Sequence, residues 1–162
     1  MKKVINNEAL TNIFGYWPSF HDAEVTQVRL DRGEGVGPAG ETTNPTLEAD
    51  IHVFEMTDDV GADGAYVLRK HTLATFAFRG IDELELNGFN HQNVLWQLLL
   101  EDISDRQLEA LKWAVSFSSS FGLEGSFNCL EVEVIHAGPF DPPEWLARPK
   151  QLAPRPSPDE SR

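Results

Sequence analysis

Residues 46–56, TLEADIHVFEM, alternate with a period of two: Leu47, Ala49, Ile51 and Val53 fall on one face, Glu48, Asp50 and His52 on the other. Successive side chains of an extended strand point to opposite sides, so this stretch is a strand with one apolar and one polar face. Such a strand belongs in an antiparallel sheet with one wet side, because strands covered on both faces read as continuous apolar runs. Upstream, Val28 and Leu30 alternate with Gln27 and Arg29, which predicts a strand from Ala23 to Asp31. Between the two strands lies RGEGVGPAGETTNP (32–45), whose four glycines and two prolines predict a mobile loop closing an antiparallel hairpin.

Downstream, TDDVGADG (57–64) predicts a turn, and Tyr66–Arg79 a long strand carrying Leu68, Leu73, Phe76 and Phe78. Gly80 closes it, and Ile81–Leu86 alternates again before the Asn87-Gly88 turn signal. Asn93–Leu100 is apolar on both faces; its eight residues favour a strand over a buried helix turn. Ser104 and Gln107 have capping-box spacing and predict a short helix through Leu108 and Leu111. Trp113–Ser120 and Ser126–His136 read as a last hairpin. A first helix over residues 7–14, capped by Asn6 or Asn7 and ended by Gly15, puts Leu10, Ile13 and Phe14 on one face. Helices of 10–15 residues between strands, which a parallel doubly wound sheet requires, are missing. The expectation is an α+β fold: a mostly antiparallel sheet of about six or seven strands with two short helices.

With 162 residues the chain suits one domain, expected over residues 1–146. Seven of the ten prolines lie in residues 139–162, so residues 147–162 are expected to form a flexible Pro-rich tail. No stretch approaches the 18 or more apolar residues of a membrane span, and no signal-peptide core follows Met1-Lys2-Lys3. A cytoplasmic protein without membrane attachment is expected. The single cysteine, Cys129, excludes an internal disulfide and a multi-cysteine metal site.

Charge narrows the function. Against 26 Asp and Glu stand only 13 Lys and Arg, a net of −13. The tail holds Arg148, Lys150, Arg155 and Arg162 against Asp159 and Glu160, so the remaining body carries −15. Such a body repels phosphate backbones, which argues against nucleic acid as a partner; the charge reads either as a surface that keeps the protein in solution or as one that attracts a basic protein. Asp58, Asp59 and Asp63 lack the spacing and distal glutamate of a calcium loop; they read first as a solvated acidic loop, and beside that as the candidate contacts for a basic partner.

Catalytic motifs are sparse. His21-Asp22 could supply a general base and its carboxylate, the basis for a small-hydrolase reading. Adjacent residues on an extended chain point apart, however, and the pair reads better as structural, bonding to nearby backbone. No metal-ligand histidine spacing occurs, Cys129 sits in an apolar strand without an activating neighbour, and no phosphate-binding glycine motif is present. No catalytic residue, cofactor or metal site is expected.

Three stretches taken together are more specific. Trp17-Pro18-Ser19-Phe20-His21-Asp22-Ala23-Glu24-Val25 runs into a strand, and Gly88-Phe89-Asn90-His91-Gln92-Asn93-Val94-Leu95 leads into the apolar strand. Ser118-Ser119-Ser120-Phe121-Gly122 precedes Gly125-Ser126-Phe127-Asn128-Cys129. From about residue 14 to 136 the chain resembles the immunity protein 50 family, antidotes of bacterial polymorphic toxin systems. The resemblance implies a non-catalytic cytoplasmic protein, without cofactor, that binds and neutralises a cognate toxin. It brings no contact residues, so His21, Asp22, Asn90 and His91 stay assigned to structure. The competing readings are the hydrolase, and a homo-oligomeric structural subunit that uses Trp96 or Trp145.

Overall fold

A computed structural model describes residues 3–40 and 42–141; the predicted tail and Trp145 lie outside them. One helix, α1 (Glu8–Phe14), precedes ten strands: β1 (Glu24–Asp31), β2 (Gly35–Val36), β3 (Thr42–Thr43), β4 (Thr46–Val60), β5 (Tyr66–Arg79), β6 (Asp82–Asn87), β7 (Val94–Asp102), β8 (Trp113–Phe121), β9 (Glu124–Cys129) and β10 (Glu131–Pro139). Eight form one sheet in the order β10-β5-β4-β1-β7-β8-β9-β6, all neighbours antiparallel. β2 and β3 pair only with each other.

The two end strands of this order are continuations of inner ones. β5 runs into β6 through Gly80 and Ile81, and β9 runs into β10 through Leu130. The pairing of β5 with β10 therefore passes across this bend into that of β6 with β9. Gly80 is needed there: its φ is +67° and a Cβ would lie 3.1 Å from that of Leu130. Since β9 also pairs with β8, the hydrogen-bonded neighbours follow a closed circuit through β1, β4, β5, β10/β9, β8 and β7. The sheet is rolled around one core.

Leu47, Ala49, Ile51 and Val53 of β4 all point into that core and are fully buried, as their alternation requires. Phe78 meets Phe127 at 5.1 Å and Phe117 at 6.0 Å, both edge-on, a favourable ring geometry. α1 lies against β10 and β5 and adds buried Leu10 and Phe14. Ile5, ahead of the helix, forms a parallel bridge to Glu133 along the outer side of β10.

The narrowest part of the circuit is the seam between β1 and β7, where the ladder contains the single pair Glu24 and Val94. Backbone bonds from Asp22 to Leu95, Leu95 to Ala23 and Val25 to Asn93 extend it. The buried Asn93 amide completes it. Its Oδ1 accepts from the backbone N–H groups of Asn90 (2.9 Å) and Leu123 (3.2 Å), while Nδ2 donates to the carbonyls of Asn90 (2.7 Å) and Val25 (3.3 Å).

Several expectations change. The sheet has eight strands and the described residues one helix, not six or seven strands and two helices. Ser104–Arg106 makes a single 3-10 turn without a side-chain cap, because Gln107 adopts φ +56° and ends it. Neither Asn6 nor Asn7 caps α1 through its side chain; Asn6 instead donates to the Val134 carbonyl at 2.7 Å. The last hairpin is also different. Of the expected last strand, β8 pairs with the β9 part and not with β10, and beyond Leu130 the chain leaves to pair with β5. The cause is a parity change: Phe127 and Cys129 point inward at odd positions, Val132 and Val134 at even ones. The 32–45 loop contains the β2–β3 ladder, and β4 extends to Val60, so the expected 57–64 turn shortens to the residues around Gly61–Ala65.

Two substitutions test this packing. Phe14→Ala should lower unfolding free energy in urea by about 3 kcal/mol, the usual cost of a large aromatic cavity. Asn93→Ala leaves the Asn90 and Leu123 N–H groups without their acceptor and should cost about 3 kcal/mol in the same measurement, since each buried orphan costs roughly 1–3.

Candidate functional site

Pro18 keeps the connection between α1 and β1 out of helical conformation. Phe20 turns inward against Phe76, with ring centroids 5.7 Å apart, and Trp17 packs edge-on against Phe76 at 6.2 Å. Asp22 takes φ +63° and sends its own N–H to the Leu95 carbonyl. His21 is thereby left outside the core, beside β7. Its Nδ1–H donates to the Trp96 carbonyl at 3.0 Å, and its ring meets the Trp96 indole edge-on at 4.6 Å. A carbonyl only accepts, so Nδ1 carries the proton. Nε2, the nitrogen a base would use, faces the Asp22 carboxylate at 3.8 Å and not a hydroxyl or thiol. The pair thus bonds to nearby backbone, as its structural reading expected. Trp17, Pro18, Phe20, His21, Trp96 and Leu98 line a hollow of about 410 Å³. Trp96 is held by His21 on one side yet stays 59% exposed.

The segment from Gly88 to Asn93 is a structural joint. Asn90 Oδ1 accepts the Gln92 N–H and its Nδ2 donates to the Gly88 carbonyl, while His91 is exposed. Gly122, with φ +78°, comes so close to the Gln92 carbonyl and the Asn93 amide that a Cβ would collide with both. The glycine in the third stretch is therefore explained by the asparagine in the second.

The sequence did not flag the pairing of His52 with His71. Their imidazoles stack 5.1 Å apart and share one hydrogen bond, Nε2 to Nδ1, at 2.9 Å. Phe140 covers His52 at 4.6 Å and Phe54 lies against both. Burial pushes His52 down to about 4, with a smaller contribution from His71; burial also lowers His71, against the opposing pull of Asp141. No group of three or more histidine, cysteine, aspartate or glutamate side chains among the described residues is arranged to hold a metal. Cys129 is fully buried in the core, as expected.

Asp58 and Asp59 lie at the end of β4 and Asp63 in the following turn, all exposed. Asp59 is taken by Arg69 at 2.8 Å, and Asp63 Oδ1 accepts the Ala65 N–H. Ion pairing is concentrated on this half of the sheet. Arg29 of β1 binds Asp50 through two nitrogens and Glu48 through a third, and Arg79 of β5 binds Glu133 of β10. The Arg29 guanidinium, helped by the Thr75 hydroxyl, holds the Asp50 carboxyl below its usual range. Lys70 and Tyr16 share Glu55. β6, β7, β8 and β9 contain no Lys or Arg, but carry Asp82, Glu83, Glu85, Glu101, Asp102 and Glu124.

A family model described as Immunity protein 50 matches residues 6–139. The chain belongs to the immunity protein 50 family. The matched range begins at Asn6, which bonds β10, and ends at the last residue of that strand, so it spans α1 and the whole sheet. No curated protein and no solved structure matches the chain. Membership of the immunity protein 50 family suits a non-enzymatic role and agrees with a histidine, His21, spent on holding a tryptophan.

The His52–His71 pair gives this immunity protein 50 chain a defined acid response. The ordinary histidine value of 6.5 is lowered in the folded state, so the unfolded chain takes up protons first. Stability is intact above that value and falls as pH drops from 6.5 towards 4. Asp50 and Glu55, held below their ordinary values of 3.8 and 4.5, lose their contributions as pH falls through and below those values. Urea unfolding at pH 7 and 4.5 should show a decrease of about 2 kcal/mol, cut in His52→Gln to the smaller part that His71 contributes, since a pKa unit is about 1.4 kcal/mol.

Proposed function

We propose that this chain binds and neutralises a cognate bacterial toxin in the cytoplasm, acting by occlusion and not by catalysis. Its membership of the immunity protein 50 family, over residues 6–139, carries the reading. Charge supplies the partner's chemistry. A body at −15 without its Pro-rich end attracts a basic protein surface and repels phosphate backbones. Toxins that act on nucleic acids present basic surfaces, and an acidic protein covering such a surface blocks the substrate without any chemistry of its own.

The hydrolase alternative has less support, because His21 Nδ1 is committed to a carbonyl and Nε2 faces a carboxylate. No helix among the described residues is long and apolar enough to cross a membrane.

A toxin domain is expected to be encoded beside this gene; co-expression with it should restore growth, and the purified pair should form a complex. Steering by the acidic body should make association fast at low salt. Raising salt from about 50 to 500 mM should slow it roughly tenfold, because the screening length shrinks below ~8 Å. An association rate indifferent to salt, or a toxin as acidic as this chain, would show that charge does not select the partner.

A further inference from the structure

We infer that the toxin docks on the outward face of β7, β8, β9 and β6, with Trp96 as its anchor and the glutamates of that face as its contacts to a basic surface. This rests on the toxin-binding reading above and adds the surface, the anchor and the chemistry of the occupant.

The register defines the face. Leu99, Ser116, Ser126 and Glu85 lie in one row across the four strands, and Glu101, Ala114 and Asn128 in the next. The middle strands contribute only small or short side chains, so a depression of about 260 Å³ opens between Leu99 and Glu101 on one side and Glu83 on the other. The helix lies on β10 and β5 and leaves this face uncovered.

Two features make it a docking surface. The first is apolar and rigid. Trp96 is 59% and Leu99 44% exposed on the same strand; Trp96 stands at the bulge between Leu95 and Gln97, where this face borders the Trp17–His21 hollow, and His21 meets its ring edge-on. An exposed tryptophan already held in place loses little side-chain entropy on binding, and tryptophan dominates binding energy at interfaces. The second is charge. On β1, β4, β5 and β10 the outward Glu48, Asp50 and Glu133 are satisfied by Arg29 and Arg79. On β6–β9 the strands hold no cation, and Glu83, Glu85, Glu101 and Glu124 are all exposed. Arg106, from the turn after β7, reaches Glu101. Asn128 donates an amide hydrogen to Glu83. This is the half of the molecule whose field a basic partner would complement. The tip with Asp58, Asp59 and Asp63 is the weaker candidate, because Arg69 already engages Asp59.

The test measures binding of the full chain to the toxin domain that the proposed function expects beside its gene, catalytically inactivated, by stopped-flow and equilibrium titration. Trp96→Ala should weaken binding about 30-fold or more, mainly through faster dissociation, as a hot-spot truncation does. The double change Glu85→Lys with Glu124→Lys should slow low-salt association about tenfold or more. The triple change Asp58→Asn, Asp59→Asn and Asp63→Asn should stay within about threefold of wild type, as rim charges do. All these sites are exposed, and melting temperatures check that each variant folds. If wild type binds but the Trp96 and double-lysine variants bind equally well, the face is wrong and the toxin-binding reading survives. If wild type does not bind, that reading itself fails. Sedimentation of the chain alone should give a monomer; a dimer that Trp96→Ala dissociates would assign the face to a second copy and overturn the inference.

Discussion

The amide of Asn93 sits where two half-sheets meet, and the rolled architecture depends on it. β1 and β7 share one ladder pair, far fewer than any other neighbours in the sheet. A seam this short would open readily if its backbone groups were left to water. Asn93 uses its buried oxygen and nitrogen to tie β1, the Gly88–Gln92 connection and the turn before β9 into one unit. An apolar residue of the same size would fill the space but leave two N–H groups and two carbonyls without these partners. The close approach of Gly122 follows from the same geometry, and so does the position of Trp96, three residues along the chain.

Closure also explains how the molecule separates its tasks. The interior faces of both half-sheets merge into one core, which leaves two outward surfaces of different character. One is laced by Arg29 and Arg79 into ion pairs with Glu48, Asp50 and Glu133 and carries the helix. The other is smooth, acidic and uncovered. The first can hold the fold together because its ions are spent internally; the second keeps its field for the solvent side. The stacked imidazoles of His52 and His71 lie within the arginine-laced half, on β4 and β5, packed beneath Phe140.

Much of this was legible in the sequence. The period-two alternation of residues 46–56 established the antiparallel class, and the paired strand at 23–31 followed from it. The strand assignment of 93–100 held, because an eight-residue apolar run suits β7, whose inward face enters the core at Leu95 and Leu98. The helix expected after Ser104 failed for a local reason, since the residue meant to complete the cap adopts a left-handed conformation. The bend at Leu130 left a trace, a switch of inward side chains from odd to even positions, which a strand without a bulge or bend cannot show. The His52–His71 contact left none, for register across a hairpin with bulges decides which residues on two strands meet. Likewise, composition reports an excess of acid but not which carboxylates arginine will claim.

The ends of the sheet carry a final consequence. Open sheets expose rows of unsatisfied amides that other chains can extend into intermolecular β-structure. Here the outer side of β10 is occupied by the segment around Ile5, and β6 is only six residues long and carries Asp82, Glu83 and Glu85. Copies of the chain therefore meet a blocked rim at one end and a short, negatively charged one at the other. That arrangement disfavours self-templated aggregation, so the protein can accumulate in solution while its smooth face stays open to another molecule.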